Sequence, residues 1–475
     1  MKRTRILALI PMLMTAGMML FSCGDEDPAD DNNHDNGNKE EEPITPVDPN
    51  SKEALKPSQQ KERMQKISKE FMDMVPAYDF EDIADLYMYV ADEYEDYEWD
   101  TVEDWAEDIY DATLKATGNN YKETEKDYGY TYNYFYTEYT NLILASNFTG
   151  HFTAKRGEWV YSKANDIQFI FTDKLGKECV LKLTTSGNVK KVHAACIEDW
   201  TDYDYDWENY VSNEYIDRTE LTIGVPEHIV VTLTQGGNQV VKTSVDIDLA
   251  AISGEEFDVS KNALTFNSTT ELNNGYTFEV KNVAYNGNVK ASATMNMKKQ
   301  GTTLLSFAFA ADLKDIPSCN VSAFSHDFDI DDYETDNTTA KDAFVKLDVL
   351  GKMQIQGSIT DVHKYADYLE KADDNDDNEQ NFKSYLNHAN SLSDINLFYD
   401  NTATKQASVK WEAFVDEQWN GYTYWTAEPV LLFFDGSSYS TFSAFFDEDD
   451  FEEIIDLFEE LADRYANLVD EEIDW

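Results

Sequence analysis

The chain has 475 residues, with 93 Asp and Glu against 38 Lys and Arg for a net charge of −55, and it is 42% hydrophobic and 13% aromatic. So acidic a protein repels phosphate backbones and anionic headgroups, whose binding depends on neutralising cations, which excludes nucleic acid as a partner. The apolar share is enough for a sizeable core, and the length predicts two or three domains at about 150 residues each.

Residues 1–22 open with Lys2, Arg3 and Arg5, continue as an apolar run from Ile6 to Phe21, and end at Leu20-Phe21-Ser22-Cys23. That is the pattern of a signal peptide, too short for a spanning helix of about 20 residues and followed by acids instead of a basic cluster. A Leu three positions before Cys23 and a small residue directly before it resemble the lipobox of bacterial lipoproteins. Membership would imply that the Cys23 thiol is diacylated and becomes the new N-terminus, two acyl chains being what stable membrane retention requires. The acids that follow, Asp25, Glu26 and Asp27 and then Glu40-Glu41-Glu42, resemble the surface-export signal of Bacteroidota lipoproteins. That resemblance implies an outer-membrane protein facing the cell exterior, and it reaches only the first few dozen residues.

Loss of the three leader cations takes the net charge to −58, and residues 24–51 hold ten acids and one lysine, so the rest of the chain carries −49. Residues 23–56 have almost no apolar content and are predicted to be a disordered tether with a reach on the order of 30 to 40 Å. No later run of about 18 apolar residues offers a membrane span, so the acyl chains would be the anchor.

From Pro57 the spacing turns helical. Ser58 can cap a first helix with Met64, Ile67, Phe71 and Val75 on one face, ended by Pro76. A second carries Phe80, Ile83, Tyr87, Ala91 and Tyr94 at three- and four-residue intervals. A third follows the Asp100-x-x-Glu103 capping pattern, with Val102, Trp105, Ile109 and Ala112 inward and Gly118 at its end. Residues 57–120 therefore read as a three-helix unit.

Beyond that the period becomes two. Tyr128, Tyr130, Tyr132, Tyr134 and Tyr136 alternate along a strand, and further strands are expected near 151–161, 166–172, 178–184 and 189–196. Alternation continues between Ile229 and Asp312, punctuated at Gly236-Gly237, Asn274-Gly275 and Asn286-Gly287. Connections this short mean antiparallel pairing in a meander, and residues 121–342 are assigned to one sheet domain, a curved sheet, half-barrel or sandwich.

Within it, Gly187-Asn188 has the form of a two-residue hairpin loop. In that register Cys179 stands opposite Cys196 at a non-hydrogen-bonded position, with Cα atoms about 4.5 Å apart, so the pair is a disulfide candidate that chain entropy would credit with about 3 kcal/mol. A four-residue loop would pair Cys179 with Ala194 instead. Cys319 reads as a buried free thiol.

Residues 343–475 read as an α+β region: a strand near 343–357, a helical insertion at 361–392, three or four strands to Phe445 with a turn at Asp435-Gly436, and an amphipathic helix from Asp450 bearing Ile454, Leu457, Leu461, Tyr465 and Leu468. The expected fold class is α+β, a helical unit followed by a large antiparallel meander with helices on one face.

Catalytic signatures are missing. His34, His151, His193, His228, His326, His363 and His388 never form a His-x-x-x-His pair or sit beside a Cys pair at zinc spacing, and there is no nucleophile elbow, phosphate loop or dinucleotide turn. Asp373-Asp374-Asn375-Asp376-Asp377 offers oxygens at positions one, three and five of an EF-hand-like loop, but Asn378 stands where Gly belongs and Ser384 where Glu belongs; Asp327-Phe328-Asp329-Ile330-Asp331 fails similarly, with Thr338 last. Weak calcium binding is the most such loops suggest, and no cofactor is expected.

The distinctive chemistry is aromatic. In Trp200-Thr-Asp-Tyr203-Asp-Tyr205-Asp-Trp207 a strand would put Tyr203, Tyr205 and Trp207 on one face and three Asp on the other. A second cluster, Trp419, Tyr422, Tyr424 and Trp425, surrounds a turn. Planar rings flanked by carboxylates suit the faces and hydroxyls of sugars and also anchor protein partners. The alternative is that they fill a sheet core. The expected function is a lipid-anchored, non-catalytic surface protein binding a glycan or protein; the alternatives are a surface glycoside hydrolase, which needs two facing carboxylates, and a lipid carrier, which needs an apolar sheet face curved round an acyl chain.

Overall fold

A computed structural model describes residues 53–94, 97–250, 257–258, 260–314, 340–419, 422–435, 439–441, 445 and 464. Cys23, Cys319, the Asp327–Asp331 loop and the helix expected from Asp450 lie outside the described residues. The chain divides into two compact units, one formed by residues 1–76, 346–360 and 364–464, the other by residues 77–345, 361–363 and 465–475. No helix among the described residues is long and apolar enough to cross a membrane.

The fold class is α+β, as expected. The second unit opens with a 3-10 turn (Ala77–Phe80), α2 (Glu81–Glu93) and α3 (Asp100–Thr113), α1 being Pro57–Met74 of the first unit. Its strands are β1 (Leu114–Asp127), β2 (Tyr130–Leu144), β3 (Gly150–Lys155), β4 (Glu158–Ser162), β5 (Ile167–Thr172), β6 (Glu178–Asp206), β7 (Val211–Gln235), β8 (Asn238–Ala250), β9 (Ala263–Leu272), β10 (Tyr276–Asn286), β11 (Lys290–Lys299) and β12 (Thr302–Leu313). β6 to β12 form an antiparallel meander, as the alternation and turn residues predict. Among the described strands two pairings are parallel, β2 with β7 and β3 with β5, which short connections did not lead us to expect.

β6 and β7 are the spine of this unit. β6 runs unbroken for 29 residues, so the expected hairpin at Gly187-Asn188 is not formed. Those two residues bulge out of the ladder between Ser186 and Val189. The Glu227 carboxylate on β7 accepts the Asn188 backbone N–H at 2.9 Å and its side-chain amide at 2.8 Å, which satisfies the donors a turn would otherwise have freed. Gly187 is needed because its φ is +86° and an added Cβ would lie 2.8 Å from Glu227 Cβ. The disulfide expectation falls with the hairpin. Cys179 pairs with Gln235 and Cys196 with Glu220 along one strand, roughly 50 Å apart at the usual rise per residue, and both thiols are free and buried.

Cys179 instead joins a core with Phe152, Trp159, Phe171, Leu86 and Tyr94, so α2 packs through Leu86, Val90 and Tyr94. Of the expected stripe, Phe80 and Tyr94 are buried and Ile83 is half-buried, whereas Tyr87 and Ala91 are exposed, because this helix is apolar on two sides and Leu86 with Tyr94 fits the sheet. Asp100 begins α3 and Glu103 follows inside its first turn, where carboxylates suit the helix N-terminus; neither caps from outside. α3 ends at Thr113, and β1 starts at once.

In β8 to β12 the pleat sorts most side chains by polarity. One cross-strand row joins Val245, Ser268, Val280, Met295 and Phe307, while the next residues along give Ser244, Thr269, Glu279, Asn296 and Ser306 on the other face. Phe80 packs against Tyr276 at one end of the apolar face, with ring centroids 4.7 Å apart.

In the first unit, α1 stands with β14 (Met353–Thr360), β15 (Ser393–Tyr399), β16 (Ala407–Trp419), β17 (Tyr422–Phe433) and β18 (Tyr439–Thr441), an antiparallel meander, and with α5 (Glu379–Leu392). β13 (Ala340–Val349) and α4 (Val362–Asp373) straddle the boundary between units. The single strand expected near 343–357 is thus two, interrupted at Leu350 and Gly351. Met64, Ile67 and Met72 of α1 pack on Leu397, Ala407 and Phe433, and Phe382 and Leu386 of α5 on Trp411, Ala413 and Trp425. These strand residues alternate in register, so both helices cover one face. Helix α1 belongs here and α2 and α3 to the other unit, so residues 57–120 do not form one helical unit. Lys56 precedes the helix as its cap position, and Ser58 lies inside the first turn.

Candidate ligand-binding face

β2 lies between β1 and the first half of β7, and β7 lies between β2 and the last half of β6. Residues that pair across strands share a face, so the register builds the site row by row. Tyr132 is flanked by Glu125 and Ser212, and Ser212 in turn by Tyr205. The next row reads Glu123, Tyr134, Glu214, Tyr203, and the one after it Tyr121, Tyr136, Ile216, Trp200. Rings on β2 repeat every second residue, about 6.6 Å apart along the strand. The Tyr130 and Tyr132 rings are stacked at 6.4 Å, and Tyr121 stacks on Tyr136 at 4.7 Å.

The opposite face combines a self-satisfied amide ladder with a stacked aromatic pair. Thr124 donates to Asn133 at 3.0 Å and Asn133 to Asn213 at 2.9 Å, in a ladder that pins the parallel pairing. Phe135 stacks on Tyr215 with Lys122 over its ring at 4.9 Å.

Trp200 reaches the tyrosine face through a bulge. Thr201 is the extra residue between the Trp200–Ile216 and Asp202–Tyr215 pairs, and its hydroxyl donates to the Tyr215 carbonyl at 2.9 Å. Were Thr201 paired in the ladder, strict alternation would place Trp200 with the aspartates. Trp207 lies just beyond the end of β6, in the turn to β7, yet its ring meets Tyr205 edge-on at 4.1 Å. Asp206 holds that turn by accepting from Glu208, Asn209 and the Asn209 amide, contacts that lower its pKa. Trp200 and Tyr203 are 61% exposed and Trp207 77%, so three of the four rings expected here are surface and not core. Tyr205 is half-buried among Tyr130, Tyr132 and Tyr203.

Electrostatics follow from this packing. Burial and the carboxylates of Glu214 and Glu125 push the Tyr134 phenol up, and burial with Glu123 and Glu198 does the same for Tyr136. One row further, Arg218 is already committed: Nε donates to Cys196 Sγ at 3.1 Å, Nη1 lies 3.4 Å from the Tyr121 hydroxyl, and Glu198 and Glu220 stand at 3.4 and 3.7 Å. Burial pushes the Cys196 thiol up, away from nucleophilic use.

The second aromatic cluster divides. Trp419 and Tyr422 pair in register at the end of the β16–β17 hairpin, and their side chains lie outside the described residues. Tyr424 is half-buried. Trp425 is a packing residue, covered by α5 and capped by Lys383 at 4.4 Å, because it shares the helix-bearing face of β17. The Asp373–Glu379 segment is a tight link between α4 and α5. Asn378 caps α5 by accepting from Asn381, Asn375 is bonded to Lys371 and Asn381, and the Asp376 backbone carbonyl accepts the Trp425 backbone N–H. No group of three or more His, Cys, Asp or Glu among the described residues is placed to hold a metal ion.

The β2 tyrosines and Tyr121 are the site residues that the sequence reading did not assign. Their signal was present, since 128–136 and 200–207 share a ring-alternating pattern, but only the parallel β2–β7 pairing puts the two together. No known family model, curated protein or solved structure matches this chain.

Proposed function

We propose that the chain is a lipid-anchored protein displayed on the outer face of an outer membrane, where the tyrosine face of β1, β2, β7 and β6 binds a glycan or protein without catalysing a reaction. The observation that carries this is the exposure of Trp200, Tyr203 and Trp207 beside a continuous ladder of tyrosines. Exposed rings in one contiguous patch are a costly feature in a monomeric surface and typify recognition sites, whose anchors are Trp and Tyr. The lipobox-like Cys23 and the acidic tether support the address, and the absence of catalytic motifs in the sequence supports binding over hydrolysis. A glycan and peptide array probed with the full chain and with a Trp200→Ala/Tyr203→Ala/Trp207→Ala variant tests the reading. A ligand held by the first and lost by the second is expected; binding that ignores the three substitutions contradicts it. Labelled palmitate incorporated by wild type and not by Cys23→Ser tests the anchor.

The lipid-carrier alternative draws on a different observation, the apolar face of β8 to β12, where Phe266, Phe278, Phe307 and Phe309 remain half-buried. Binding of a fluorescent fatty acid that Phe278→Asp and Phe307→Asp abolish would favour it.

A further inference from the structure

The tyrosine face combines two properties that rarely remain uncompensated together. Its rings stand beside the carboxylates of Glu123, Glu125 and Glu214 in direct cross-strand register. Elsewhere the protein covers ring faces with its own cations: Lys61 on Phe445, Arg63 on Tyr399, Lys122 on Phe135, Lys299 on Tyr276 and Lys383 on Trp425. Among the described residues no such cation covers a ring of the tyrosine face, and Arg218, the nearby guanidinium, is engaged by Cys196, Tyr121 and two glutamates. Glu214 accepts from Ser212 at 3.0 Å, which leaves its charge unneutralised.

We infer that this face receives a cationic polypeptide, extended and rich in Arg or Lys. The inference rests on the same face being the binding surface and names what it binds. Charge complementarity selects the class, because a cation over a ring is attracted by the ring quadrupole and each neighbouring carboxylate adds a charge-assisted hydrogen bond. Period selects the conformation: side chains on one side of an extended peptide recur about every 6.6 Å, the interval of Tyr130, Tyr132, Tyr134 and Tyr136 along β2. Guanidinium groups at alternate positions would lie over or between successive rings while Glu125, Glu123 and Glu214 take their N–H groups. The field of a body carrying −49 would gather such a ligand from solution and speed its encounter, and salt would weaken both effects.

The test uses the purified full-length chain in detergent and a fluorescent octa-arginine peptide, with octa-glutamate and cellohexaose as comparison probes. Three variants are titrated. Glu123→Gln/Glu125→Gln/Glu214→Gln removes charge from the face, Trp200→Leu/Tyr203→Leu removes rings but keeps apolar area, and Asp373→Asn/Asp374→Asn/Asp377→Asn makes the same charge change in the other unit. Expected is octa-arginine binding that weakens about tenfold or more in each face variant, in line with one or two lost cation contacts, and stays unchanged in the control. Equal weakening in face and control variants overturns the inference, since it marks attraction to overall charge. So does octa-arginine binding that the leucine pair leaves intact. If cellohexaose binds, is lost in the leucine pair, and octa-arginine does not bind, the face is a binding surface for neutral glycan and the cationic ligand is refuted alone.

Discussion

Tyr134 on β2 and Glu214 on β7 stand side by side in parallel register, and Glu214 pairs with Tyr203 of β6 on its other side, so one carboxylate sits between two phenol columns. A parallel pair between strands some eighty residues apart brings together two ring-alternating segments that neither local turn chemistry nor a meander would join. The site exists only in this register.

Burial raises the Tyr134, Tyr136 and Tyr205 phenols, helped by neighbouring carboxylates at the first two and by neighbouring tyrosines at the third, so the folded chain keeps these protons to higher pH than the unfolded chain does. The stabilisation is fully present below the ordinary phenol value of about 10 and is lost as pH rises through the elevated values. Absorbance at 295 nm should show late-titrating tyrosines, and Tyr134→Phe/Tyr136→Phe should remove part of that late phase and reduce sensitivity to alkaline unfolding. An unchanged titration curve would argue against the tyrosine face.

Gly187 tests the bulge in β6. Alanine there meets both a left-handed backbone and the Glu227 side chain, and should lower stability by about 1 to 2 kcal/mol in chemical denaturation. In a two-residue hairpin of Gly-Asn the neighbouring Glu227 would be irrelevant. Glu227→Gln would then leave stability untouched, whereas losing the carboxylate that accepts both Asn188 donors should cost measurable stability here.

Cys179 and Cys196 should both react with iodoacetamide under denaturing, non-reducing conditions, seen as modified peptides by mass spectrometry. Cys179→Ala should cost about 1 to 2 kcal/mol, because the thiol is fully buried beside Phe152 and Phe171. A peptide pair linked through the two sulfurs would refute the continuous strand.

What was legible in the sequence had local causes. The period-two runs from Ile229 to Asp312 and the Gly-containing turns between them gave the meander, and Pro57 and Pro76 bounded the first helix. What failed depended on a partner elsewhere in the chain. Gly187-Asn188 has turn chemistry, and Glu227, forty residues later, makes it a bulge. Trp200 changes face because Thr201 finds the Tyr215 carbonyl. Trp425 reads as a turn aromatic until α5 is laid over it. Grouping of the three N-terminal helices failed likewise, since the Met64–Ile67 stripe finds its sheet beyond residue 350.

The most direct measurement is a pair of binding isotherms, wild type against Trp200→Ala/Tyr203→Ala/Trp207→Ala, for whichever component scores highest on the array, with melting temperatures taken alongside. These rings are exposed, so substitution should leave stability within about 0.5 kcal/mol. The expected result is affinity reduced at least about tenfold, the loss of one good anchor, at an unchanged melting temperature. Superimposable isotherms would contradict the assignment of the tyrosine face as the surface this protein uses.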